Sequence, residues 1–406
     1  DKVPVRERQQ RALERAELSH STASDRLPPE IRASLATLRR ETASADETAQ
    51  AAKHLRQVSR PSSRDVANQA GANRRLLCKA GAVCFGCRAL GRFPDKKGGA
   101  REAVKALLAS LVLPDGSDGK KDPSSDLDAS VSIRDIAHLM IVDNQTLRSQ
   151  ASRTLLARLD AAMLQTAQPV QSGKLVVTAG QDEYGEPELL KLLMILAESP
   201  LMMESDLPRE NRKQRHRTKE EELCLLRVLR TMAGSLTLRA QGQSKEFTKC
   251  CVHVIASACH TALPFVLESA TGGSATRTAA VETLSHLACS GQIATAMLLE
   301  TSDVSSATEI GGPAATDILD VVWSSLDSAD TRLGAIKTAA HLAASCRNAP
   351  GCVSRLALTR HLYVKLLQLA RRTNDKNELL HCLKAVDLMV CDEPVAVAMS
   401  ANRPAM

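Results

Sequence analysis

Cysteine and histidine are the residues of this chain whose types and spacing invite chemistry. Cys250, Cys251, His253, Cys259 and His260 fall within eleven residues, and Cys78, Cys84 and Cys87 within ten. Close thiols and imidazoles are zinc ligands, and a Cys-x-x-Cys pair such as 84–87 is half of a structural site. The second half is missing, because no other pair follows at comparable spacing. On a helix Cys84 and Cys87 stand one turn apart and face the core together. Cys251, Val254, Ile255, Ala258 and Cys259 likewise make one apolar face, with His253 and His260 on another. The pattern therefore points to core thiols and boundary histidines, with no metal and no cofactor.

A second histidine signal is a repetition. AAVETLSHLA at 279–288 and GAIKTAAHLA at 334–343 place His286 and His341 at the same step of a shared motif. CLLRVLRTMA at 224–233 and HCLKAVDLMV at 381–390 align with them, their starts separated by 55, 55 and 47 residues. In parallel stacked helices, equivalent residues form ladders: Thr231, His286, His341, Leu388, and one turn earlier Arg227, Glu282, Lys337, Lys384. Three bases in four positions of the second ladder would favour an acidic segment of a partner, more strongly as histidine gains charge near pH ~6.5. The alternative is that each histidine is a boundary residue bonded to a neighbouring loop.

Other chemistries lack their motifs. The glycine pairs at 272–273 and 311–312 have neither a phosphate-loop frame nor a dinucleotide-binding frame. No nucleophile elbow, His-Glu-x-x-His or kinase signature occurs, so no enzyme is expected. The densest charge run, 209–219, carries Arg212, Lys213, Arg215 and Arg217 just before Glu220, Glu221 and Glu222. It reads as a solvated loop, a phosphate contact or a nuclear-import signal. With one Trp, two Tyr and four Phe, recognition of nucleic acid by base stacking has little to work with.

The elements that must position these residues are helices. Hydrophobic residues make up 44% of 406 residues but aromatics only 2%, so Ala and Leu, both strong helix formers, fill the apolar positions. Apolar or small residues recur on one helix face in each aligned segment: Leu225, Leu226, Leu229, Met232; Ala280, Val281, Leu284, Leu287; Ala335, Ile336, Ala339, Leu342; Cys382, Leu383, Val386, Met389. A lone helix pair cannot bury such faces, so the copies must stack. Turn-rich or charged stretches at 114–126, 167–187 and 204–222 read as inserted loops. The chain divides into exposed N-terminal helices or an arm at 1–70, helical repeats at 71–165, a loop-rich insertion with one helix at 166–222, and further repeats at 223–406.

The segment DILDVVWSSLDSADTRLGAIKTAAHLA at 317–343, with VETLSHLA, resembles the armadillo/HEAT class of α-solenoids, with His286 where armadillo helices often carry Asn. That resemblance covers roughly 220–395 and implies an all-α helical-repeat scaffold with long inserted loops. It also implies a protein partner in a multi-subunit complex. The charged ladder stands where importin-like proteins place Trp, which disfavours a basic-peptide mode. A nucleic-acid or ribonucleoprotein role, using Arg212, Lys213, Arg215 and Arg217 with Lys337 and Lys384, is the rival reading. No stretch is apolar enough for a membrane span. Twelve cysteines at mostly apolar positions favour an intracellular compartment, cytoplasmic or nuclear. The initial Asp in place of Met keeps an organellar matrix open.

Overall fold

Several helix starts are set by short polar side chains that satisfy the first free N–H groups. Ser44 and Glu47 form a reciprocal capping box, the Ser44 N–H donating to Glu47 Oε2 at 2.8 Å and the Glu47 N–H to Ser44 Oγ at 3.2 Å. Those bonds, backbone first, hold the Glu47 carboxyl below its usual range. Ser132, Asp317 and Asp375 cap three more helices, each side chain accepting a backbone N–H of the first turn. The computed structural model describes residues 24–60, 67–93, 99–112, 131–142, 144–167, 188–199, 217–237, 245–303, 317–349 and 351–401. It is all-α, with no strand among the described residues. The sequence-predicted loop at 114–126, nearly all of that at 167–187 and residues 204–216 of the third lie outside them, while 219–222 of the third are helical and not loop.

Two units divide the chain, residues 1–221 and 222–406. The first holds α1 (Pro29–Arg39), α2 (Ala45–Ser59), α3 (Ala67–Lys79), α4 (Ala82–Arg92), α5 (Ala100–Val112), α6 (Ile133–Met140), α7 (Gln145–Ala167) and α8 (Glu188–Ala197). α2 lies along α5, α1 packs on α2 and α4, and α6 packs on α7 and α8. Leu38, Leu55, Leu107, Leu108 and Leu111 are wholly buried there. The segment 1–70, read as exposed N-terminal helices or an arm, is helical over 29–39 and 45–59 and turns one face, Ile31, Leu35, Leu38, Ala52 and Leu55, into the core. Its many charges occupy the opposite face, which made the segment look solvated. The Arg92 guanidinium donates to the carbonyls of Leu38, at 2.9 Å, and Arg40, closing the end of α1. Cys78, Cys84 and Cys87 are buried thiols, as their helical spacing predicts.

The second unit begins in the first turn of α9 (Lys219–Thr237). It continues through α10 (Lys245–Thr261), α11 (Leu263–Ser269), α12 (Ser274–Leu287), α13 (Gly291–Asp303), α14 (Ile318–Ser325), α15 (Ala329–Ser345), α16 (Cys352–Leu358), a 3-10 turn (Thr359–His361), α17 (Leu362–Arg372), α18 (Lys376–Val390) and α19 (Glu393–Ala401). α15 packs on α12 on one side and on α18 on the other, and α16 touches both α13 and α19. Each of α12, α15 and α18 also packs on the helix just before it. Leu284, Ala339 and Val386, equivalent in the aligned motif, are all buried. Of the sixteen stripe residues read from the sequence only Leu383 departs, being 51% exposed.

Close approach of α12 and α15 depends on a residue without a side chain. A Cβ at Gly334 would stand 3.0 Å from Val281 Cγ1 and 3.7 Å from the Glu282 nitrogen. Gly334→Val should therefore push the helices apart and cost about 1–3 kcal/mol. Gly334→Ala should stay near neutral, because the ~1 kcal/mol gained in helix propensity offsets a mild contact. Urea unfolding of both variants tests this; equal stability of the valine variant and the parent would refute the packing. No helix among the described residues is long and apolar enough to cross a membrane.

Candidate functional site

The repeated histidine is first an interhelix contact. His341 Nδ1 lies 2.7 Å from the Ser285 carbonyl oxygen and 3.2 Å from Cys289 Sγ, so the ring enters the gap between a residue in the last turn of α12 and one just past its end. A carbonyl can only accept, which puts the proton on Nδ1 and leaves the lone pair on Nε2. One motif earlier the corresponding gap lies between Arg230 and Gly234. His286 Nδ1 stands there, 3.8 Å from where a Cβ on Gly234 would be. The boundary-residue reading thus survives with a changed partner: His341 bonds a neighbouring helix and not a loop.

The same two histidines also line a groove of about 540 Å³ in the second unit. α9 contributes Arg230, α12 contributes Glu282 and His286, α15 contributes Asp330, Lys337 and His341, and α18 contributes Asp375, Glu378 and His381. Most polar partners inside it are already committed. Arg230 pairs with Glu282, Glu378 accepts from Thr373 Oγ1 at 2.7 Å, and Asp375 accepts from the Asn377 N–H at 2.7 Å as the cap of α18. Lys337, half-buried, has no ion pair or hydrogen bond among the described residues.

Two cations, Arg230 and Lys337, act on the imidazoles of this groove. Burial, then Arg230 and His341, hold the His286 imidazole below the usual histidine range, with Glu282 opposing and Lys337 adding to the effect. Burial, then Lys337, His341 and Lys384, do the same to His381. The carboxylates Asp330, Asp375 and Glu378 belong to the starts of α15 and α18, where helix N-termini favour them. The groove lining thus mixes two cations and three imidazoles with four carboxylates, three of which belong to helix starts.

Of the residues singled out in the sequence, Glu282, His286, Lys337 and His341 meet in the groove. Arg227 and Lys384 are exposed and do not line it, although the charge of Lys384 reaches His381 and Cys289. Arg212, Lys213 and Arg215 lie outside the described residues, and Arg217, half-buried, precedes α9. Sequence alignment missed Arg230 and His381. Equivalent positions do not lie level across the row: Arg230 meets Glu282, three steps lower in the motif, and His381 approaches Lys337 with the same offset. Helices that pack ridge into groove cross at an angle and shift level in this way. An offset of three to four residues, applied to the ladder, is the signal that would have found both.

Cys259, on α10, is buried, and burial pushes its thiol up to about 12, the behaviour of a core residue. His253 is exposed and His260 half-buried, while the side chains of Cys250 and Cys251 lie outside those described. Among the described residues no group of three or more His, Cys, Asp or Glu is placed to hold a metal ion. Compared with known proteins, the chain matches no family model and no curated protein.

Proposed function

We propose that the chain is a non-enzymatic helical-repeat scaffold of the armadillo/HEAT-like solenoid type, and that its groove binds a protein partner through an acidic side chain. The observation that carries this reading is Lys337, a half-buried ammonium without an ion partner, ringed by His286, His341 and His381. A carboxylate seated there would gain charge-assisted hydrogen bonds in a partly desolvated setting. Asp330, Asp375 and Glu378 in the same lining would repel a continuous polyanion, so an isolated acidic residue in an otherwise neutral segment suits the groove better than a phosphate backbone.

Selection of a displayed random-peptide library on the full chain tests the idea. Enriched peptides should carry an Asp or Glu, and the Lys337→Glu, Lys384→Glu double variant should lose that enrichment. Its thermal stability should hardly change, since exposed or half-exposed charges contribute about 0–1 kcal/mol each to folding. The pH dependence has a definite sign. His286 and His381 are held below the usual range, so they are neutral at pH 7 and charge only as pH falls below about 6.5, tightening the hold on a carboxylate. Enrichment without acidic residues, identical selection by the double variant, or steeply salt-dependent RNA binding in place of peptide binding would each reject the proposal.

A further inference from the structure

The outer face of α18 repeats a register that is covered everywhere else in the row. Leu383 is equivalent to Leu226, Val281 and Ile336, which are at most 1% exposed, yet it is itself 51% exposed. Val390 is equivalent to the buried Ala233, Ala288 and Ala343, and is 38% exposed. Local geometry matches as well: Cys289 Sγ donates to the Ser285 carbonyl at 3.5 Å on α12, and Cys391 Sγ donates to the Asp387 carbonyl at 3.4 Å at the end of α18. On α12 this face receives Gly334 and His341 of α15. On α18 it stands open.

Its sequence says what fits. Lys376, Leu380, Leu383 and Asp387 are all exposed, and their spacing of four, three and four puts them on one stripe. Read from either end the stripe is the same, with the charges exchanged. Of the equivalents of Asp387, Ser285 and Ala340 are buried and Arg230 is exposed but ion-paired with Glu282 of α12, so a helix stacked on α18 would meet a carboxylate and should bring a cation to it. Lys376 is that cation on a second copy. We propose that two copies of this chain associate through α18, antiparallel about a two-fold axis passing between His381 and Cys382. Leu380 then packs against the partner's Leu383, and Lys376 pairs with the partner's Asp387, twice by symmetry.

Sedimentation of the full chain across a range of concentrations at low ionic strength tests this. The parent should show a reversible monomer–dimer equilibrium, and Leu383→Glu should abolish it without altering thermal unfolding of the dilute protein. Lys376→Glu and Asp387→Lys should each weaken the dimer about tenfold or more, because both symmetric pairs become repulsive. Combining the two reversals should restore it. Both reversals suit the helix dipole, acid at the start and base at the end, so folding is not the variable. A parent that stays monomeric, a dimer that survives Leu383→Glu, or a double reversal as weak as the single ones would overturn the proposal, the last by assigning the face to a different helix.

Discussion

Ile336→Asp is expected to unfold the second unit at ordinary temperature, with a loss of more than about 4 kcal/mol. Ile336 is wholly buried in α15, the helix flanked by α12 and α18, and a carboxylate there would be desolvated without a partner. Loss of the isoleucine's packing adds to that cost. Leu383→Asp changes the equivalent position of α18, where the side chain is half in water, and should leave the dilute protein as stable as the parent. Circular dichroism melts of the two variants side by side decide the matter. Similar melting temperatures for both would mean that the motif's register does not govern packing.

The second large effect is a gain. Asp135, in the first turn of α6, is buried, and burial raises its carboxyl to about 6 despite the hydrogen bond it accepts from Ser132 Oγ at 2.8 Å. Its charged form is thus disfavoured in the folded state, and the sign follows from linkage. With the folded value above the unfolded one, this group favours folding at low pH and loses that contribution as pH rises through about 6. Asp135→Asn removes the charge while keeping an acceptor for Ser132. It should stabilise the first unit by about 2–3 kcal/mol at pH 7.5, at ~1.4 kcal/mol per pKa unit. The gain should fade between about pH 6 and 4. Urea titrations at both ends of that range measure it, and a pH-independent effect would show that ionisation is not the cause.

What the sequence disclosed depends on which interactions each feature needs. The stripes through Leu229, Leu284, Ala339 and Val386 follow from helix periodicity within one segment, so they were legible without knowing any neighbour. The exposure of Leu383 was not, because its position in the motif is identical to that of Ile336 and only what packs on each helix among the described residues distinguishes them. The grouping of histidines around Lys337 was half legible. Repetition revealed His286 and His341, but Arg230 and His381 enter through the offset between crossing helices, a tertiary quantity that no single segment encodes. The packing of α1 and α2 was hidden by composition: abundant Arg and Glu outweighed a narrow Ala/Leu face.

The row α12, α15, α18, in which α15 is the middle member, also dictates how the unit should come apart. Opening of α17–α19 sacrifices the contacts of α18 with α15 but leaves the interface of α15 with α12 in place. Partial opening is then cheaper than global unfolding, and amide protons should exchange in a graded order: α18 first, α15 later, α12 with the slowest set. Cys382, on the buried face of α18, would become reactive toward thiol reagents in the same opening event that releases that helix's amides. Exchange protection in this unit should thus run as a gradient along the row.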